Sequence, residues 1–221
     1  MTTATHNMLS RVYLFKDLSE DDLNELEKQT TLKRFPKNAI LVNEGDETDS
    51  LYIIESGKIK IYVGDDEGKE LILTLHGPGD YFGEISLLDG APRSASAMTL
   101  EDSKLYIIQK RRFETFLRND PEVCMRVMRG LTLRLRELTD SVRDLALIDV
   151  YGRIAKKLTS MANSEEGKMV ISQKLTHKEI AAMIGSSREM VSRIMKELSR
   201  GGYIIVEKDR MIINKKMPAR W

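Results

Sequence analysis

The sequence predicts an α+β fold in three parts: a β jelly roll or sandwich, one long helix, and a helix-turn-helix followed by a hairpin. Three observations carry this reading. Short apolar runs broken by glycine turns recur about every ten residues from Thr31 to Ile108. An apolar stripe with a period of about 3.5 residues then runs through 121–148. Finally, two short capped helical segments flank Gly185.

Residues 1–10 read as loosely attached. Ser19 caps an amphipathic helix with Asp21 and Asp22 in its first turn, where carboxylates meet the positive end of the helix, and with Leu23 and Leu26 inward. From Thr31 the texture changes to strands at 39–42, 50–54, 58–63, 70–75, 94–100 and 104–108. Gly45-Asp46, Gly57, Gly64 to Gly68 and Gly77-Pro78-Gly79-Asp80 supply turns between them. Polar and apolar residues alternate from Lys58 to Tyr62, as in a strand with one wet face. A short helix over 111–116 leads into the long one. Beyond it, Asp149 caps a helix to about Met161, with Ile154, Ala155 and Leu158 inward, and 163–168 reads as a polar loop. Residues 203–206 and 211–213 flank a charged turn and form the closing hairpin.

Composition narrows the class. With 221 residues, 41% apolar and 31% charged, the chain suits one large or two ordinary globular domains. No apolar run approaches the roughly 20 residues of a membrane span, and the N-terminus lacks a signal-peptide core, so no membrane contact is expected. The single cysteine, Cys124, excludes an internal disulfide and a cysteine-built metal site within one chain, which points to the cytoplasm. Charge divides unevenly. Residues 1–149 carry 20 Lys and Arg against 27 Asp and Glu, whereas 150–221 carry 15 against 7. Only the C-terminal third is thereby suited to a polyanion.

On the long helix, Cys124, Leu131, Leu138 and Leu145 form one column, and Met128, Leu135 and Val142 a second that ends at Asp149. Arg126, Arg129, Arg134, Arg136, Glu137, Asp140, Arg143 and Asp144 occupy the wet remainder. Two apolar positions per heptad make a stripe narrower than a globular core helix usually shows. The expected partner is a second copy, a parallel homodimer with Cys124, Met128, Leu131, Leu135, Leu138, Val142 and Leu145 at the interface. A core helix within one domain is the alternative.

One insertion in the strand region is not ordinary turn chemistry: Phe82-Gly83-Glu84-Ile85-Ser86-Leu87-Leu88-Asp89-Gly90-Ala91-Pro92-Arg93-Ser94-Ala95. A helical turn at 85–88 offers free N–H groups to an anion, and Gly83 allows close backbone approach. Arg93 supplies a fork of donors for phosphate, Ser94 a hydroxyl, and Glu84 an acceptor for sugar hydroxyls. A solvated Arg–Glu pair in a loop is the plainer reading of the same residues. The run Phe-Gly-Glu followed by Pro-Arg-Ser-Ala-Ser resembles the phosphate-binding cassette of cyclic-nucleotide-binding domains. That resemblance implies Gly83 and Glu84 on the ribose, Glu84 at its 2′-hydroxyl, and Arg93 with Ser94 on the cyclic phosphate. Ile85, Ser86 and Ala95 complete the expected cassette contacts.

Thr176 with Glu179, and Ser186 with Glu189, read as two capping boxes joined through Gly185. Ile180, Ile184, Val191, Ile194 and Leu198 pack this pair, and Arg188, Glu189 and Arg193 project from the start of the second helix. Arginine suits guanine O6 and N7, and glutamate accepts from cytosine N4. A plain helical hairpin is the alternative. The run from Leu175 to Arg193 with its hairpin resembles the winged helix of CRP/FNR-type transcription factors, and 145–155 resembles that family's hinge. The resemblance spans about residues 12–216. It implies a cyclic-nucleotide-binding jelly roll over 12–120, a dimerisation helix over 121–148 and a winged helix-turn-helix over 149–217.

In such regulators Arg188, Glu189 and Arg193 would read a TGTGA-like half-site, and two copies a palindrome in double-stranded DNA. Thr176, His177, Ser187 and Lys196 would add DNA contacts, while Met190 stands where threonine is common. RNA polymerase is an implied partner. Cyclic AMP is the first effector expected and cyclic di-GMP the second, because the two base-reading positions fall on Leu138, which cannot hydrogen-bond, and Thr139, which can. No metal, haem or iron–sulfur cluster is expected; His76 reads as a surface turn residue, and His6 and His177 lack companions at ligand spacing. No nucleophile–base pair points to an enzyme. A nucleotide-binding regulatory subunit acting on a partner protein is the competing function, but it leaves the basic C-terminus idle.

Overall fold

Glycine turns between apolar runs build a sandwich. The computed structural model describes residues 9–10, 12–15, 18–47, 49–165, 168–172, 175–215 and 217. After a 3-10 turn (Tyr13–Phe15), α1 (Glu20–Lys28) is capped by Ser19, whose Oγ accepts from the Asp22 N–H at 3.1 Å. Eight strands follow: β1 (Thr30–Phe35), β2 (Ile40–Val42), β3 (Ser50–Ser56), β4 (Ile59–Gly64), β5 (Glu70–His76), β6 (Tyr81–Phe82), β7 (Ser96–Thr99) and β8 (Ser103–Gln109). They form two four-stranded sheets, ordered β1-β8-β3-β6 and β2-β7-β4-β5. Val42, Ile54, Ile59, Phe82, Ala97 and Leu105 make one buried core, as inward residues of alternating strands should.

The short helix α2 (Glu84–Asp89) interrupts the strands after β6, and α3 (Lys110–Asn119) and α4 (Pro121–Leu147) follow β8. A second core joins Leu51, Ile53, Tyr106 and Ile108 to Leu23 and Leu26 of α1, Phe113 of α3, and Val123 and Val127 of α4. The molecule groups into two compact units: residues up to 63 with 73–136, and 64–72 with 137–221. In the second unit, α5 (Val150–Met161), β9 (Asn163–Glu165), β10 (Lys168–Ile171), α6 (His177–Ile184), α7 (Arg188–Arg200), β11 (Ile204–Val206) and β12 (Met211–Ile213) surround their own core of Ile154, Leu158, Ile180, Val191, Ile194 and Leu198. Asp149 caps α5 by accepting from the Gly152 N–H at 2.7 Å.

Several expectations need correcting. The polar loop at 163–168 contains β9 and the start of β10. All three side chains of β9 are exposed, so backbone pairing to β10 rather than an apolar pattern makes it a strand, in a sheet ordered β11-β12-β10-β9. The second capping box does not form. Ser187, not Ser186, is the N-cap of α7, its Oγ accepting from Met190 N–H at 3.2 Å, which puts Met190 where the glutamate would have to stand. The loose N-terminus expected over 1–10 falls on residues 1–8, outside the described residues, but Leu9 is fully buried. Lys60, on the expected wet face of β4, is buried with its ammonium 4.0 Å from the centre of the Tyr62 ring. A long aliphatic stem and an aromatic face make that placement tolerable.

The helix stripe also divides. Leu135 and Val142 are each 65% exposed, and Met128, Leu138 and Leu145 are exposed too. Cys124 and Leu131 are instead half-buried within the first unit: Cys124 Sγ donates to the Leu117 carbonyl at 2.9 Å, and Leu131 packs on the core that holds Val123. Arg126, expected in water, is buried.

Candidate functional site

The cassette is built by a turn that only glycine suits. Gly83 caps α2 at φ 90°, and a Cβ there would lie 2.5 Å from Arg93 Nη1 and 3.0 Å from the Ser50 carbonyl. Arg93 thus comes back against the start of α2. Its Nη1 donates to Gly83 O at 2.7 Å and to Ser86 Oγ at 2.8 Å, and its Nη2 donates to Ser50 O at 2.6 Å. The guanidinium is 5.9 Å from the centre of the Tyr52 ring, which stacks on Phe82 at 4.9 Å. Burial pulls the Arg93 guanidinium below its ordinary pKa, and the nearby Tyr52, Glu84, Asp49 and Asp46 partly offset that pull.

Glu84 opens α2 and is only 1% exposed; Arg93 is 4% exposed. The carboxylate is held by Arg134 of α4, whose Nη1 donates to Glu84 Oε1 while Nη2 donates to Tyr81 O at 2.6 Å. Arg134 also sits 4.8 Å from the centre of the Tyr81 ring. Glu84 and Arg93 each keep one buried polar atom without a hydrogen-bond partner among the described residues, the acceptor Glu84 Oε2 and the donor Arg93 Nε. Their chemistry matches a hydroxyl donor and an anionic acceptor, respectively. Ile85 and Ser94 are exposed, Ser86 is buried, and Ala95 is half-buried. Leu138 and Thr139 are exposed on the part of α4 that groups with the second unit.

Arg134 is the residue that sequence reasoning missed. Val123, Val127, Gly130 and Arg134 recur at steps of four, three and four, a second stripe on α4 that could have been read beside the first. Gly130 leaves room for the Tyr81 hydroxyl, which a Cβ would strike. Next to this cluster, His76 is buried rather than on the surface, with Nδ1 3.5 Å from Asp80 Oδ2. Burial alone would raise the Asp80 pKa, but the His76 and Gly77 hydrogen bonds, with attraction from His76 and Arg134, hold it below the ordinary value.

Burial pushes the Tyr81 phenol up to about 12, against the lowering effect of Arg134. A raised pKa in the folded state means that the associated stability is present below the unfolded value and lost as pH climbs from about 10 toward 12. Burial raises the Tyr52 and Tyr151 phenols as well. Ultraviolet titration of the native protein is therefore expected to show a late phase to which all three contribute, and Tyr81→Phe to lower its amplitude by one phenol. A late phase unchanged in Tyr81→Phe would contradict the assignment.

In the second unit, Thr176 and Glu179 form the first capping box: Thr176 Oγ1 accepts from Glu179 N–H at 3.2 Å, and Thr176 N–H donates to Glu179 Oε2 at 2.6 Å. Gly185, at φ 63°, ends α6 and turns the chain toward α7. Ser187, Arg188, Glu189, Arg193 and Lys196 are exposed, as is Thr176, and His177 is half-buried. Glu189, Arg193 and Lys196 recur at helical spacing on one face of α7, with Arg188 at its start. Arg193 Nη2 donates to Met190 Sδ at 2.9 Å, so the methionine steadies the arginine. Arg153, quoted only as part of the hinge motif, ties α6 to the joint before α5. Its Nε donates to Ile184 O at 3.0 Å and its Nη1 to Ile148 O at 2.9 Å.

Comparison with known proteins agrees with both halves. Residues 32–120 match the cyclic nucleotide-binding domain, and 152–219 the Crp-like helix-turn-helix domain. A CRP-like cAMP-activated global transcriptional regulator of Mycobacterium tuberculosis is 33% identical over 211 residues, 94% of each chain. The chain belongs to the CRP/FNR family. Another member, the cAMP-activated global transcriptional regulator CRP of Haemophilus influenzae, is 36% identical over 171 residues, 76% of each chain. Among solved structures, a c-di-GMP responsive global regulator of Xanthomonas campestris shares the fold with a TM-score of 0.74 at 24% identity, covering 85% of this chain and 95% of its own. As a CRP/FNR member, the protein is a DNA-binding transcription regulator with a cyclic-nucleotide-binding domain, and not an enzyme. Among the described residues no cluster of His, Cys, Asp and Glu could hold a metal ion, and no helix is long and apolar enough to cross a membrane.

Proposed function

We propose that this regulator is a cytoplasmic homodimer that takes up a cyclic nucleotide in the 83–95 cassette and in response sets two winged helices on a TGTGA-like palindrome. The domains are 12–120 for the ligand, 121–148 for pairing and 149–217 for DNA. The observation that carries the ligand half is the pair of orphaned buried atoms, Glu84 Oε2 and Arg93 Nε. A ribose hydroxyl would donate to the first and a cyclic phosphate accept from the second, with Gly83, Ile85, Ser86, Ser94 and Ala95 around them. The exposed seam of Met128, Leu135, Leu138, Val142 and Leu145 supports pairing through α4.

Cyclic AMP is the first effector, supported by the two cAMP-activated relatives. Cyclic di-GMP is the second: of the two expected base-reading positions Thr139 can hydrogen-bond the adenine amino group but Leu138 cannot, so selection of adenine rests on Thr139 alone. Calorimetry with both nucleotides separates the two; no heat with cyclic AMP but heat with cyclic di-GMP reverses their order. RNA polymerase is the proposed downstream partner.

For DNA, Arg188, Glu189 and Arg193 are proposed to reach base edges, and Thr176, His177, Ser187 and Lys196 the backbone. A gel shift with a TGTGA-N6-TCACA palindrome is expected to show a salt-sensitive specific complex. Arg188→Ala should weaken that complex by about 1–3 kcal/mol and relax preference at one base pair, whereas Lys196→Ala should weaken all sequences alike. Absence of a specific shift with either nucleotide would sink the palindrome reading.

A further inference from the structure

A groove of about 750 Å³ lies wholly within the second unit, between α5 and the sheet strands β10 and β12. Its size falls in the range of about 300–1,000 Å³ usual for sites that take small organic molecules. Met169, Ile213 and Met217 are half-buried and give it an apolar floor, and Lys156, Lys168 and Lys215 stand exposed around its rim. Among the described residues none that lines it is acidic. Lys156 is paired with Asp144 at 2.6 Å, but Lys168 and Lys215 make no ion pair among the described residues. Thr159 adds a hydroxyl at the same mouth.

These features do not repeat the reading head. The lining residues are separate from Ser187, Arg188, Glu189, Arg193 and Lys196, and separate from the cassette. An apolar floor gives nothing to a phosphate backbone, and two ammonium groups at a wet rim give little to a neutral hydrocarbon. Together they fit a molecule with an apolar body and one anionic head. Methionine side chains in the floor adapt to the shape of such a body.

We propose that this groove is a second small-molecule site, one that takes an amphiphilic monoanion such as an aliphatic carboxylate. Lys168 and Lys215 hold the head, and Met169, Ile213 and Met217 cover the tail. The proposal does not rest on the nucleotide reading.

The test uses the full chain and octanoate, with octyl glucoside as the neutral counterpart. In protein carrying 13C-methyl methionine, octanoate is expected to shift the Met169 and Met217 methyl signals saturably, and octyl glucoside at equal concentration to leave them in place. Lys168→Glu with Lys215→Glu should weaken the octanoate response at least tenfold. Lys168→Ala with Lys215→Ala supplies the milder comparison should charge reversal disturb the fold. Shifts confined to Met125 and Met128 on α4 would place the binding elsewhere and overturn the proposal. So would an equal response to octyl glucoside, or a response indifferent to the lysines. A lysine variant that lowers the salt dependence of DNA binding while octanoate still shifts both methyls as before would make the lysines phosphate contacts, and also overturn it.

Discussion

Arg93→Ala is expected to destabilise the first unit by about 3–5 kcal/mol as well as to abolish nucleotide binding. The guanidinium is 4% exposed and bonds Gly83 O, Ser86 Oγ and Ser50 O, three oxygens that alanine would leave without it. Each buried group left unpaired costs roughly 1–3 kcal/mol, and water admitted to the vacated space recovers part of that loss. Loss of ligand in this variant would therefore not isolate a phosphate contact. Arg93→Lys is the sharper companion, because it keeps a positive charge but not the planar fork. Denaturant melts should rank wild type above lysine above alanine, and calorimetry should show nucleotide affinity falling in both variants. An alanine variant as stable as wild type would mean that the three hydrogen bonds contribute nothing in solution.

Leu135→Asp is expected to leave each chain folded yet to separate the proposed dimer. Leu135 is 65% exposed and makes no part of either core in the first unit, so a carboxylate there meets water in the single chain. In a paired seam the same carboxylate would face a second copy of itself across apolar side chains, where burying charge is unfavourable. Two tethered reading heads bind a palindrome far more tightly than two separate ones, so affinity should fall by roughly a hundredfold or more. Sedimentation equilibrium reads the dissociation and the gel shift reads its effect. Leu133→Asp is the control: Leu133 is also exposed but stands outside both columns, and that variant should stay dimeric. Dimers in both variants would remove α4 as the pairing surface.

Much of the fold was legible because local chemistry decides it. Ser19, Asp149 and Thr176 cap the helices where their side chains predict, and Gly185 turns the chain between α6 and α7. Glycine-bounded apolar runs became β2 to β5, β7 and β8, within a residue or two at their ends. What escaped was set by tertiary partners. The two-residue β6 and the all-polar β9 exist through pairing to β3 and β10, which no local pattern records. Lys60, His76 and Arg126 looked wet by residue type, yet each is buried. In the cassette, Gly83, Glu84 and Arg93 were recognisable from their order. For Arg134 the second stripe on α4 marks a buried face, but not its partner Glu84, which lies fifty residues away.

The bare seam on α4 has a consequence for how much of this protein a cell needs. A surface that is apolar in the single chain is shielded in a pair, so under the pairing reading folded stability gains from association and rises with protomer concentration. Scarce, newly made chains would spend longest with Leu135 and Val142 in water, open to proteases and to unwanted apolar company. Abundance would then act twice, once by supplying protomers and again by sparing them from turnover. Regulation by effector would operate only on the population that has passed this threshold.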